Sequence, residues 1–572
     1  MMRFLAVLAF SLLSAPLFAS GSGEITLIHM GDIHGHLVAR PNLRSDGTGR
    51  DEGGLARMYS RIQDIRKQHQ HTLLLNTGDT IQGSAEALYT RGQALVDVIN
   101  LFGLDAYVPG NWEFVYGTAR FLELFAGEKP KAPWNTLAAN VYYAREEEEK
   151  GSPYAAQGGR RVLPPYVIRQ VGALKVGILA LTTRRGPQVV GKNVTQGFRF
   201  TGGDAELKEF VPLLREKEKV DLLIMLSEQE LANNIRLAEA NPGIDVILSS
   251  DMHETTRKPV VTRSGTLIVE EGQDGTLLGE LKLKVENGKL KAWDWKPHVI
   301  TSDIREDKQV AAKVAEVRKS FVSGRHFTPH VNPFNGSRLK RPIDTVIGYA
   351  MAPLHRSNFS HEEMPAFIEG SSHGFLTDAF RHQCGSDIGA IRGFRYGTHV
   401  AKGPLTLEDL YHFMPIGPQI ACGTIKGKQL KNQIETAASG SLDPDVSKWT
   451  GGWLFNFSGV TMDFDPYQPN GSRASNIRVS GQPVEPEKDY SYASYWYAAD
   501  PDLINIVPSK NIRVLKDRDG GPMDGSEVVV RYVQSWPAGM VRTELNRIRL
   551  LAPLPASKHG FPEIQPLAGA SR

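Results

Sequence analysis

The sequence predicts an α/β protein of two domains, and three observations carry that expectation. Short continuous apolar runs, each closing on polar residues, recur between helical patterns through the first 300 residues. A second region of mixed αβ pattern runs from about Asp344 to Leu551. The chain has 572 residues, 41% of them hydrophobic, which is ample for burying cores and too long for one ordinary domain.

In chain order, "MMRFLAVLAFSLLSAPLFAS" places one Arg before an apolar stretch from Phe4 to Leu13, with small residues near Ala15 and Ala19. Residues 1–20 therefore read as a cleaved secretory signal, because the apolar run is shorter than the roughly 20 residues that span a bilayer. Residues 21–300 form the first domain. Its runs "EITLIHMGDIHGH" (24–36), "HTLLLNTGDT" (71–80), "VDLLIMLSEQE" (220–230) and "IDVILSSDMHE" (244–254) predict buried strands between helices. Each delivers polar side chains at its C-terminal end, where open α/β sheets place their ligands. The acidic run "REEEEK" (145–150) is expected in solvent. Residues 301–340 comprise a charged, Ala-rich connecting helix (304–322) without a strong apolar face, then a loop-rich stretch. Residues 341–552 form a second domain closing in Tyr- and Trp-rich strands, and 553–572 a tail rich in Pro, Ala and Gly.

Composition excludes several function classes. The chain carries 66 basic and 63 acidic side chains, net +3, with the basic residues scattered, so no nucleic-acid polymer is expected as a partner. No segment after the signal is apolar enough to span a membrane, which points to a soluble periplasmic or secreted protein. Cys384 and Cys422 could form one disulfide in an oxidising compartment or remain two buried thiols, and their spacing suggests neither a metal nor a redox site.

Chemistry concentrates at the strand ends. "GDIHGH" supplies Asp32 and His34, "GDT" Asp79, "SEQE" Glu228, "SDMH" Asp251 and His253, and the loop "GNWEF" (110–114) Asn111. Carboxylates, imidazoles and one amide converging on a sheet edge are what two divalent metals need.

These motifs, in this order, resemble those of the secreted 5'-nucleotidase group of dinuclear metallophosphoesterases. The resemblance implies a four-layer β-sandwich flanked by helices, followed by an α/β substrate-binding domain of the 5'-nucleotidase type. It implies one metal on Asp32, His34, Asp79 and His253, and a second sharing Asp79 and taking Asn111, Glu228 and Asp251. That family gives the second metal two histidines where this chain has Glu228 and Asp251. The oxygen-rich set favours manganese foremost, then iron or magnesium, over zinc.

A further departure is Trp112. It stands where the family's G-N-H-E motif has a histidine that assists the leaving oxygen, and an indole N–H only donates. Trp112 is expected to line the substrate pocket, with core packing as the alternative. "GNWEFVYG" (110–117) and "GFRYGT" (393–398) look like the corresponding stretches of the family's thiosulfohydrolase branch, the enzymes of the Sox sulfur-oxidation system. By that resemblance Arg395 binds the substrate anion, with Arg392 and Tyr396 beside it. Gly374 replaces an Asn that nucleotidases use, and strand packing is the better expectation than base stacking for Trp453, Tyr495 and Trp496. The expected function is a periplasmic dinuclear-metal hydrolase of the SoxB-like kind, releasing sulfate from a carrier protein's cysteine thiosulfonate. The alternatives are a phosphomonoesterase acting on a small anionic nucleotide, and a non-catalytic binding protein that keeps the fold.

Overall fold

A computed structural model describes residues 21–42, 48–253, 255–355, 369–391, 399–443, 445, 448 and 456–553. The leader and, Pro553 apart, the tail lie outside these residues. The first domain is built on two sheets stacked face to face. Strand Gly23–Met30 lies parallel to Thr72–Asn76 and antiparallel to Leu277–Glu286 in a five-stranded sheet. In the six-stranded sheet, Leu222–Ser227 lies parallel to both Leu174–Leu181 and Val246–Ser249.

The apolar runs explain why both faces of these strands are covered. Leu27, Leu75, Ile178, Ile224 and Leu248 fill the space between the sheets. On the outer face of the first sheet, Ile28 and Leu74 pack under helix Leu55–Gln68 and its neighbours. On the outer face of the second, Leu223, Met225 and Ile247 pack under helices Asp204–Pro212 and Leu231–Ala240. The result is the expected helix–sheet–sheet–helix sandwich, with parallel strands of both sheets ending at one edge. The acidic run 145–150 is largely exposed, as its charge requires.

The connecting helix is Lys308–Arg318, capped by Asp307, whose carboxylate accepts the N–H groups of Gln309 (2.9 Å) and Val310 (3.0 Å). It is less uniformly polar than its composition suggested. Val310 and Val314, one turn apart, are buried against the first domain's core.

The second domain centres on a five-stranded sheet ordered Asn456–Ser458, Ile388–Ile391, Asp489–Trp496, Gln419–Lys426, Lys510–Val514. Helix Ser371–Cys384 covers one face together with Gly525–Gln534, and Gly427–Leu442 covers the other. Tyr495 is buried in one of these cores and Trp496 packs half-buried against the other, so strand packing is what these two aromatics do; Trp453 lies outside the described residues. Cys384 and Cys422 form a disulfide that ties helix to sheet, Cα atoms 5.6 Å apart. Among the described residues no helix is long and apolar enough to cross a membrane.

The two domains and the connecting helix meet at a buried ionic node. Arg318, at the end of the connecting helix, bonds Glu86 (2.6 Å) of the first domain and Glu408 (2.7 Å) of the second. Arg40 reaches across to Glu408 and Asp409. Beside them His36 stacks on His412 with centroids 4.1 Å apart, and the Tyr89 and Tyr411 hydroxyls bond at 2.7 Å. Burial opposes ionisation of Glu408, yet the Arg40, His412 and Arg318 partners hold its carboxyl well below the usual range.

Removing the shared cation should be costly, because it leaves two buried carboxylates short of a partner. We expect Arg318→Ala to destabilise the protein by about 3–5 kcal/mol, measured as a lowered urea midpoint. A midpoint within experimental error of the parent protein would show that the node contributes nothing to stability.

Candidate metal centre

The common edge of the two sheets collects the polar strand ends. Asp32 follows strand Gly23–Met30, Asp79 follows Thr72–Asn76, Glu228 directly follows Leu222–Ser227, and Asp251 follows Val246–Ser249. The loops that carry them are strained. Asp32 (φ 44°), His34 (47°), Asp79 (45°), Asp251 (96°) and His253 (64°) all adopt positive φ, which costs of order 1–3 kcal/mol per residue. Cross-loop hydrogen bonds maintain this conformation. The Asp32 N–H bonds the Gly78 carbonyl at 3.0 Å and the His34 N–H bonds the Asp79 carbonyl at 2.8 Å. Two glycines are sterically required. A Cβ at Gly110 would lie 2.2 Å from the Asp79 carboxylate, and one at Gly78 would lie 2.4 Å from the Gly110 nitrogen.

Two overlapping triads of donor groups result, Asp32–His34–His253 and Asp32–Asp79–Glu228, all buried. The His34 and His253 Nε2 atoms are 2.8 Å apart, and both face Asp32 Oδ1, at 3.3 and 3.7 Å. Asp32 belongs to both triads, and Asp79, which the resemblance puts in the shared place, belongs to one. Asp79 nonetheless sits close, its Oδ2 3.7 Å from His34 Nε2.

The donors suit a divalent pair. Both oxygens of Glu228 and the Oδ1 of Asn111 are buried without a hydrogen-bond partner among the described residues. A buried carboxylate in that condition is costly unless a cation answers it. Burial first, then the neighbouring carboxylates, with Asp79 the foremost, pushes the carboxyls of Asp32 and Glu228 well above their ordinary values. One triad offers two nitrogens and the other only oxygens, a donor set for ions that accept imidazole and carboxylate together.

The opening residues of the GNWEF loop divide the work of support. Glu113 is buried and accepts four backbone N–H groups: Asp79 (2.9 Å) and Gly110 (2.7 Å) on Oε2, Thr80 (2.7 Å) and Ile81 (3.1 Å) on Oε1. It staples the Asp79 loop to the Asn111 loop. The Trp112 N–H bonds Asp79 Oδ1 at 2.9 Å, while its indole is half-buried on the helical core of the first domain. Trp112 therefore positions Asp79 through its backbone and packs through its ring.

Asp251 is placed at the site, beside a guanidinium and an amide. One of its oxygens pairs with Arg185, and the other accepts the Asn111 amide at 3.0 Å. Arg185 also forms an ion pair with Glu230, 2.8 Å away, and Arg184 approaches Glu230 at 3.3 Å. These residues did not figure in the sequence reading. The signal for them was "TTRRG" directly after the apolar strand Leu174–Leu181, a strand end at the same edge. Glu270 and Glu271, after strand Leu267–Val269, also back onto Asp32. Glu270 accepts the Ser249 hydroxyl at 2.6 Å and Glu271 pairs with His29 at 2.9 Å. Arg392, Arg395 and Tyr396 lie outside the described residues.

Comparison with known proteins agrees with this architecture. Residues 25–255 match the calcineurin-like phosphoesterase family and residues 346–503 the 5'-nucleotidase C-terminal domain family. The chain is 26% identical over 504 residues to a snake venom 5'-nucleotidase of Crotalus adamanteus, covering 82% of this chain and 80% of that protein. It is 22% identical over 529 residues to protein UshA of Yersinia enterocolitica, covering 86% and 88%. Among solved structures, the sulfate thiohydrolase SoxB of Thermus thermophilus superposes with a TM-score of 0.76 at 20% identity, covering 94% of this chain and 98% of that one. A 5'-nucleotidase precursor of Thermus thermophilus superposes with a TM-score of 0.72 at 22% identity, covering 92% and 99%. The phosphoesterase match and the two convergent triads together support a divalent metal pair.

The Glu113 staple makes a sharp prediction. Glu113→Gln turns an amide NH2 toward backbone donors, so the Asp79 and Asn111 loops should separate and metal content should fall by at least half. Inductively coupled plasma mass spectrometry of protein purified without chelator reads this directly; undiminished metal content would deny Glu113 its positioning role.

Proposed function

The chain is a metal-dependent hydrolase of the 5'-nucleotidase type of metallophosphoesterases, and from that premise we propose that it hydrolyses a sulfur-centred anion, the thiosulfonate carried on a cysteine of a partner protein. The observation that carries this reading is Trp112. A phosphomonoesterase of this kind relies on an imidazole beside the metals to assist the leaving oxygen, and the indole at this position cannot exchange a proton. A persulfide leaves more readily than an alkoxide and needs less assistance. In the proposed reaction a water oxygen joins the sulfonate sulfur, the S–S bond breaks, and sulfate and a carrier persulfide depart.

A divalent pair held there, with manganese favoured by the oxygen-rich donors, would supply Lewis-acid activation of water at neutral pH. The protein's own groups do the rest. Asp32, His34 and His253 are proposed to hold one ion, and Asp79, Glu228 and Asn111 the other with Asp32. Glu113 and Trp112 keep Asp79 in register through their bonds to its loop and carboxylate. Arg395 is proposed to bind the sulfonate oxygens with its planar fork, with Arg392 and Tyr396 adjacent.

Two features weigh against a base clamp. The helix face at Gly374 is filled by Thr543 and Arg547, whose Nη2 donates to both Asp378 carboxylate oxygens at 2.8 and 2.7 Å. Tyr495 is committed to the core. Export to the periplasm or medium fits the leader-like N-terminus and the Cys384–Cys422 disulfide. The second reading, hydrolysis of a small phosphomonoester such as a nucleotide, is favoured by the names of the curated relatives.

The two are separated by product. Incubated with a thiosulfonated carrier peptide, the manganese-loaded protein should release sulfate while leaving AMP intact over the same period. Phosphate from AMP without sulfate release would favour the nucleotidase reading. Arg395→Ala should abolish turnover while metal content stays unchanged.

A further inference from the structure

Asp251 stands where the family resemblance puts a ligand of the second ion, yet a guanidinium reaches it first. Arg185 follows strand Leu174–Leu181 and is buried, its Nε 2.8 Å from Glu230 Oε1 and its Nη2 against Asp251 Oδ2. The guanidinium charge thus lies between two buried carboxylates. The other Asp251 oxygen takes the Asn111 Nδ2 at 3.0 Å, which fixes the amide. Glu228 lies on the metal side of this arrangement, converging with Asp32 and Asp79, and Asp251 does not join that group.

We propose that Arg185 is a tethered cation that competes with the second metal ion for Asp251. Its charge withholds a carboxylate from the ion, so the second position is held by Asp32, Asp79, Glu228 and Asn111 alone. Cation affinity at oxygen sites rises with the number of charged ligands. The second ion is therefore held more weakly than it would be with Asp251 as a further charged ligand. Arg185 is a positioning residue, since it acts through Asp251 and Asn111. This inference rests on the metal-pair reading above.

Manganese titrated calorimetrically into the chelator-stripped full-length protein tests it without reference to activity. The parent protein should bind in two steps. Arg185→Gln should tighten the second step by about tenfold or more, within the range that outer partners of metal ligands command, and leave the first within about threefold. The double variant R185Q/D251N should lose that gain. Glu230→Gln, which leaves the guanidinium to Asp251 alone, should weaken the second step. An unchanged or weaker second step in Arg185→Gln, a gain that survives D251N, or a tighter second step in Glu230→Gln overturns the inference. Failure of every form, the parent included, to bind manganese would sink the metal-pair reading itself, a result distinct from any of these.

Discussion

Negative charge buried at one sheet edge is the constraint on which the rest of this structure depends. Asp32, Asp79, Glu113, Glu228, Glu230, Asp251, Glu270 and Glu271 are all buried, and several bear directly on one another. Like charges so close cannot all ionise in a low-dielectric interior without compensation. The fold compensates each in a different way. Glu113 has four backbone N–H groups, Glu271 has His29, and Glu230 and Asp251 share the guanidinium of Arg185. Asp32, Asp79 and Glu228 are the set whose balance calls for cations, and they are the ones that converge.

The same economy explains the backbone. Positive φ at five residues of the site is unfavourable locally and survives because the loops are bonded to one another and the strands beneath them are anchored in apolar cores. The strain sets the donor geometry before any ion arrives, which is what preorganisation of a metal site means physically. Through the chain the loop also reaches the second domain. His34 belongs to a triad, His36 stacks on His412, and Arg40 pairs with Glu408 and Asp409. A seven-residue span, 34–40, thus joins the metal centre to the interdomain node, and the Arg318 bridge ties the connecting helix into it.

Much of this was legible in the amino-acid sequence. Uninterrupted apolar runs such as "TLLLN" and "LLIMLS" demand burial on both faces, so the layered sandwich follows from them. Donor residues just past those runs have to gather at one edge once the strands are parallel, which is why Asp32, His34, Asp79, Glu228 and His253 could be named in advance. The connecting helix was visible from its charge and alanine content, though its buried Val310 and Val314 were hidden by that same polarity. The disulfide was left open because two cysteines 38 residues apart say nothing about distance.

What the sequence determined by itself is the sheet, its polar edge and the inventory of donors there, since these depend on periodicity and local order along the chain. Which donors belong together was decided by the tertiary structure. Arg185 comes from a strand end between those of Asp79 and Glu228 in sequence, and only the strand order of the six-stranded sheet, which sets Leu174–Leu181 and Val246–Ser249 on either side of Leu222–Ser227, brings it to Asp251. Each triad, in turn, draws its donors from the ends of both sheets. Their grouping depends on directions of side chains projecting from two different sheets, and a linear motif carries no information about the angle between them.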